Sequence, residues 1–271
     1  MSWWEAALLG LIQGVTEFLP VSSSGHLVLG RHLLGVGTDP GSGILFEALV
    51  HLGTVFSIIV VYRREILALT LEFVRGVVRP SDYRSMWSEN ESFRLSILIL
   101  VTMIPTGITY LVFKNSIEAA FANPRFTSAM LLVTGLVLLL TRLRKKPSGQ
   151  VTTLKAIGIG IAQSAAMLPG ISRSGATISA GIYLDVEPER ATNFSFLMLL
   201  PVVLIGAVLE VSESISTGVS LVWTPMIIGL IVAFLSGILA IKLVLDVVRK
   251  GRLEYFAIYL FIIGGIGLSL L

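Results

Sequence analysis

Gln13-Gly14-Val15-Thr16-Glu17-Phe18-Leu19-Pro20-Val21-Ser22-Ser23-Ser24-Gly25-His26 is a polar stretch in an apolar chain, and a second stretch answers it 150 positions later. That second stretch reads Gln163-Ser164-Ala165-Ala166-Met167-Leu168-Pro169-Gly170-Ile171-Ser172-Arg173-Ser174-Gly175-Ala176-Thr177. At this offset Gly10 meets Gly160, Gln13 meets Gln163, Ser22 meets Ser172, Ser24 meets Ser174 and Gly25 meets Gly175, while the Leu-Pro pair slips by one position. Each copy reads as an apolar helix, a Pro/Gly break, a Ser-rich turn and a second short apolar helix. The fold follows from where two such copies can sit.

The surroundings are those of a membrane. Of 271 residues, 54% are hydrophobic and only 14% charged, where a soluble domain carries about a quarter charged residues. Too little polar surface exists to face water on all sides, which makes the chain an integral membrane protein. The absence of Cys excludes disulfides, thiolate nucleophiles and Cys-ligated metals. A net charge of +3 does not indicate nucleic acid, because the basic residues lie in blocks beside apolar runs, a pattern of membrane topology. Met1-Ser2-Trp3-Trp4-Glu5 has no basic leader region and is expected to belong to the mature protein.

Crossing the hydrocarbon core takes about 20 apolar residues. Six stretches approach that length: roughly 44–62, 95–113, 126–143, 191–211, 225–247 and 254–271. The motif regions do not. Residues 3–19 and 22–35, and again 155–168 and 171–184, are short apolar pairs parted by the Pro and Ser residues. Broken backbone at membrane depth is tolerated only where protein or water satisfies it, so each motif is expected at the tip of a re-entrant helical hairpin. The expected fold is therefore all-α: one polytopic membrane domain over 1–271 with six spans and two re-entrant hairpins.

Lys and Arg mark the cytoplasmic side. The 63–94 loop, the 142–155 loop, Arg190 and the 242–252 stretch hold 16 of the 20 basic residues. The path that satisfies this bias puts both termini outside and three spans after each hairpin. The second half is then inverted relative to the first, as repeats of approximately 1–143 and 151–271. Inverted repeats place their broken helices and ligand site at the repeat interface near the midplane.

An ionisable residue inside an apolar helix is costly and functional by default. Glu17 is one, with Gln13 one turn earlier on the same face; its alternative role is to fix packing by pairing with a buried cation. Arg173, between Ser172 and Ser174, carries a planar donor fork suited to phosphate, or else pairs with Glu17; both hold if the pair opens to a substrate. Ser22, Ser23, Ser24, Gly25 and His26 surround a helix start, where free N–H groups attract phosphate, although serines there also serve as simple caps. Ser174 and Gly175 repeat the arrangement. His51, which shares a face with Glu47, reads as a structural histidine. One carboxylate, one His, one Arg, several hydroxyls and two helix starts make a site for an anionic ligand. Phosphoryl transfer, which depends on positioning and charge stabilisation, suits that inventory, with His26 as a proton shuttle.

Gln13-x-x-x-Glu17 with Pro20-Val21-Ser22-Ser23-Ser24-Gly25-His26, together with Pro169 through Thr177 and Phe194-Ser195-Phe196-Leu197, resembles the undecaprenyl-pyrophosphate phosphatases of the bacitracin-resistance type. The resemblance runs the whole chain. It implies hydrolysis of a C55 polyprenyl pyrophosphate to the monophosphate, which recycles the lipid carrier of cell-wall synthesis. It further implies a site open to the outer face of the cytoplasmic membrane and dependence on a divalent cation, Mg²⁺ or Ca²⁺. By position, Glu17, Ser23, His26 and Arg173 match the family's catalytic residues, and Gln13, Ser172 and Thr177 its supporting ones. Many members have Glu where this chain has Gln13, so a cation bound through Glu17 and shared with the substrate's phosphates is expected rather than one caged by protein. The expected partners are the lipid substrate and the membrane, without nucleic acid, and a second copy of the chain is a candidate.

Two other readings use the same residues. A different membrane lipid-phosphatase class uses a Pro-Ser-Gly-His-like element that Ser23-Ser24-Gly25-His26 imitates locally, but it needs a second His downstream of a Ser-Arg pair, and no His follows His51. A polyprenyl-phosphate carrier or flippase would hold a pyrophosphate head with Arg173 and the helix tips without cutting it. Glu17, Ser23 and His26 favour hydrolysis, because binding alone needs no proton shuttle.

Overall fold

The computed structural model describes residues 1–35, 40–144, 146–216 and 223–270. Among them every named regular element is helical. The α-helices are, in order, α1 (Trp3–Phe18), α2 (Ser23–Leu34), α3 (Pro40–Val61), α4 (Arg63–Val78), α5 (Tyr83–Glu89), α6 (Glu91–Phe121), α7 (Pro124–Leu140), α8 (Thr153–Ala165), α9 (Arg173–Tyr183), α10 (Pro188–Leu197), α11 (Leu199–Ser216), α12 (Trp223–Arg249) and α13 (Glu254–Leu270).

Local sequence sets the boundaries. A reciprocal capping box opens α1: Glu5 N–H donates to the Ser2 hydroxyl, and Ser2 N–H donates to Glu5 Oε2 at 2.7 Å. Pro20 and Pro169 follow the ends of α1 and α8, where proline cannot continue a helix. Asn90 and Asn123 cap α6 and α7 through side-chain oxygens that accept from Phe93 and Phe126 N–H, each at 3.0 Å. Both motif regions are thus short helix pairs, of 16 and 12 residues in the first and 13 and 11 in the second.

Each of the six apolar stretches lies on one or two helices. By length and composition, α6, α7, α12 and the region 188–207 can cross a membrane, and Leu45–Val61 with Arg63–Val78 form a further candidate bent by 88°. Sequence reading left 63–78 as a basic loop. It is instead an amphipathic helix whose Leu67, Leu71, Val74 and Val78 are exposed beside Arg63, Arg64 and Arg75, the composition of a helix that lies in a membrane interface.

The core is assembled by exchange between the two halves of the chain. Helix α1 packs along α12, and α8 packs along α6. Small residues allow these approaches: a Cβ on Gly10 would lie 2.5 Å from Gly229 O, and one on Gly160 would lie 2.7 Å from Thr102 O. Helix α12 also meets α3, where Ser57 donates to Phe234 O at 2.7 Å. In a membrane, helices associate through such close backbone packing and hydrogen bonds rather than by burying oil from water. Of the glycines in 264–267, which the sequence marks for close helix packing, Gly264 and Gly267 face Ser128 of α7, whereas Gly265 has nothing within 4 Å of an added Cβ.

Candidate active site

The two motif tips touch. Ser174 donates its hydroxyl to Leu19 O at 3.0 Å, and a Cβ on Gly25 would lie 3.2 Å from Gly170 Cα. Gly170, at φ +93°, turns the second tip and packs on Thr127 O of α7, a conformation that glycine adopts without strain. Thr134 of α7 pins that tip on both sides: its Oγ1 donates to Gly170 O at 2.9 Å and accepts from Ser172 N–H at 3.1 Å.

The tips are also built alike. Ser22 caps α2 by accepting from Gly25 N–H at 3.2 Å, and Ser172 caps α9 by accepting from Gly175 N–H at 3.0 Å. The hydroxyls of Ser22 and Ser24 lie 3.3 Å apart, and those of Ser172 and Ser174 lie 3.2 Å apart. These four serines therefore hold the helix starts and the tip contact. The positive ends of α2 and α9 both lie where the tips meet.

One carboxylate gathers the rest. Glu17, 7% exposed, accepts at Oε2 from Gln13 Nε2 at 2.9 Å and from the Ser23 hydroxyl at 2.7 Å. Its Oε1 accepts from Arg173 Nη2 at 2.7 Å. Arg173 Nη1 donates to Ser195 O at 2.9 Å, which leaves the remaining N–H groups of the guanidinium for another anion. Ser23 and Arg173 are the first residues of α2 and α9, so the site lies where both helix dipoles end. Thr177 donates to Arg173 O at 2.7 Å and shares a 2.6 Å hydrogen bond with the Ser195 hydroxyl; it steadies α9 rather than facing the carboxylate.

Gln13, Glu17, Ser23 and Arg173 are thus brought together as the sequence suggested. His26 lies one turn beyond Ser23, but its ring bonds elsewhere: Nδ1 to Ser22 O at 2.8 Å and Nε2 to Tyr259 Oη at 2.7 Å. Glu47 pairs with Arg31 at 2.7 Å. His51, read as structural, has Nδ1 on Glu47 O at 2.7 Å and Nε2 3.8 Å from Glu17 Oε2. Sequence reading assigned no role to Ser195 or Tyr259. The signal for Ser195 was a hydroxyl inside the apolar run Phe194–Leu197. For Tyr259 there was none, since one tyrosine in an apolar helix is ordinary.

A divalent cation is testable against the donor set. No three His, Asp or Glu residues converge among the described residues, so a cage made by protein alone is not provided. However, Gln13 Oε1 is buried with no hydrogen-bond partner, and it sits beside the Glu17 carboxylate. One carboxylate and one spare amide oxygen are hard oxygen donors of the kind Mg²⁺ takes, and a bound ligand's oxygens would have to complete the set.

The chain is similar to known proteins along nearly its whole length. A family model described as Bacitracin resistance protein BacA matches residues 6–266. A protein of Salinibacter ruber is 54% identical over 271 residues, covering all of both chains. One of Syntrophotalea carbinolica is 42% identical, over 98% of this chain and 97% of its own. One of Desulforapulum autotrophicum is 39% identical, over 97% of this chain and 96% of its own. Each of the three is named undecaprenyl-diphosphatase.

Proposed function

We propose that this chain, which belongs to the Bacitracin resistance protein BacA family, hydrolyses undecaprenyl pyrophosphate to undecaprenyl phosphate and inorganic phosphate. The observation that carries the chemistry is the Ser23 hydroxyl donating to the Glu17 carboxylate at 2.7 Å beside Arg173. A hydroxyl with an anionic acceptor and a guanidinium next to it is the arrangement of an activated nucleophile facing a phosphate.

In this reading, Arg173 and the amides at the starts of α2 and α9 bind the terminal phosphate. Ser23 Oγ attacks its phosphorus, and the Ser23 proton passes to Glu17 Oε2. The P–O bond to the bridging oxygen breaks, and undecaprenyl phosphate leaves. Water then attacks the phosphoserine, the P–Oγ bond breaks with Glu17 returning its proton to Ser23, and inorganic phosphate is released, with His26 Nε2 taking the proton of the water. A divalent cation held by Glu17, Gln13 Oε1 and the phosphates would supply charge neutralisation when bound.

The same proposal includes the topology: six spans, two re-entrant hairpins and an inverted repeat in the cytoplasmic membrane, with the site open to the outer face. It is supported by the matched helix starts at Ser23 and Arg173, the exchanged packing of α1 on α12 and α8 on α6, and the placement of the basic residues. The decisive experiment is phosphate release from undecaprenyl pyrophosphate by purified protein in detergent, with and without EDTA. Release that EDTA abolishes and Mg²⁺ restores is expected; substrate binding without release would instead make the protein a carrier.

A further inference from the structure

His26 has two ring nitrogens, and the structure fixes what each can do. Nδ1 lies 2.8 Å from Ser22 O, a carbonyl oxygen that can only accept. Nδ1 therefore carries the hydrogen, and in the neutral ring Nε2 carries the lone pair. That lone pair is already covered by the Tyr259 hydroxyl at 2.7 Å. The two rings are nearly parallel, 8° apart with centroids separated by 5.6 Å. Whether His26 moves a proton or attacks phosphorus, Nε2 is the atom that must act.

Tyr259 is placed for this by its own helix. Ala257 and Leu260 are buried, and α13 runs against α7, where Gly264 meets Ser128 O and Leu132. Helix α7 also steadies both motif tips, through Leu131 beside Gly25 and Thr134 beside Ser172. One helix pair therefore sets the distance from the Tyr259 backbone to His26.

We propose that Tyr259 is a positioning residue for His26. Its O–H donates to Nε2, and with Ser22 O it fixes the rotation of the imidazole; in turnover the water that attacks the phosphoserine takes the place of the phenol at Nε2. The kinetic part of this inference rests on the phosphatase reading above.

Tyr259→Phe keeps the ring and removes only the hydroxyl. In the full-length protein in detergent, kcat for undecaprenyl pyrophosphate should fall about tenfold while KM stays within about twofold, the signature of an interaction that serves the chemical step. Wild-type kcat in Tyr259→Phe overturns the proposal. A second measurement does not need the substrate: diethyl pyrocarbonate should modify His26, located by peptide mass spectrometry, several-fold faster in Tyr259→Phe than in wild type. Equal rates overturn it. If wild type releases no phosphate, the phosphatase reading fails while the modification rates still decide the contact. If Tyr259→Phe does not fold, ¹⁵N-histidine NMR of wild type decides, with the Nδ1–H tautomer of His26 expected and the Nε2–H tautomer contrary to it.

Discussion

Glu17 and Arg173 stand 156 residues apart in sequence and 2.7 Å apart in space, and their ion pair joins the two motif tips. Each charge would be costly buried without a partner. Together they neutralise one another, and they present a guanidinium with donors to spare beside a carboxylate that already holds a hydroxyl.

That pairing gives Arg173 two roles that mutation can separate. Arg173→Ala should abolish phosphate release and also lower the thermal midpoint, since breaking a buried pair costs about 3–5 kcal/mol. Adding Glu17→Gln should recover much of the stability and none of the activity. Arg173→Lys should recover only a little turnover, because a point charge does not reproduce the planar fork. Near-normal release by Arg173→Lys would remove Arg173 from substrate binding.

Ser23→Ala tests the nucleophile. A lost hydrogen bond to a charged group costs about 1.5–3 kcal/mol, a fall of roughly ten- to a hundred-fold in rate. Loss of the attacking oxygen should go well beyond that, to less than about one part in a thousand on the same scale. Retention of a few per cent of wild-type release, with acid-labile phosphate trapped on His26, would move the attack to the histidine.

Gly10→Val and Gly160→Val should each lower the detergent thermal midpoint by several degrees, as overpacking of about 1–3 kcal/mol requires. Their Cβ atoms would meet Gly229 O and Thr102 O. Gly107, with nothing within 4 Å of an added Cβ, supplies the control: Gly107→Val should change the midpoint little. Equal midpoints for all three would refute the close helix approaches.

The proposed orientation can be read by labelling, since the chain has no native Cys. Single Cys residues at Ser2 and Ser216 should react with an impermeant maleimide in intact cells, and one at Ser148 should not. A labelled Ser148 would reverse the topology.

Much of this architecture was legible because the membrane restricts the choices. Apolar length located the helices. Pro20 and Pro169 located the breaks, and the 150-residue offset aligned the helix starts at Ser23 and Arg173 to the residue. An isolated Glu and an isolated Arg in apolar surroundings had few partners other than each other. What stayed hidden depended on side-chain direction. Nothing in the sequence shows that His26 turns to Tyr259 rather than Ser23, or that the Ser195 carbonyl accepts from Arg173. The helix at 63–78 escaped because its basic residues outweighed the apolar face formed by Leu67, Leu71, Val74 and Val78.

The exchanged packing of α1 on α12 and α8 on α6 has a consequence for how the chain is made. Synthesis delivers the N-terminal segment first, yet Gly10 finds its neighbour only when Gly229 emerges. Until Arg173 is made, Glu17 lacks its guanidinium partner. The nascent first half is therefore an open clasp. The ribosome must complete most of the polypeptide before its earliest helix can settle, and the Glu17–Arg173 pair is among the features that close late.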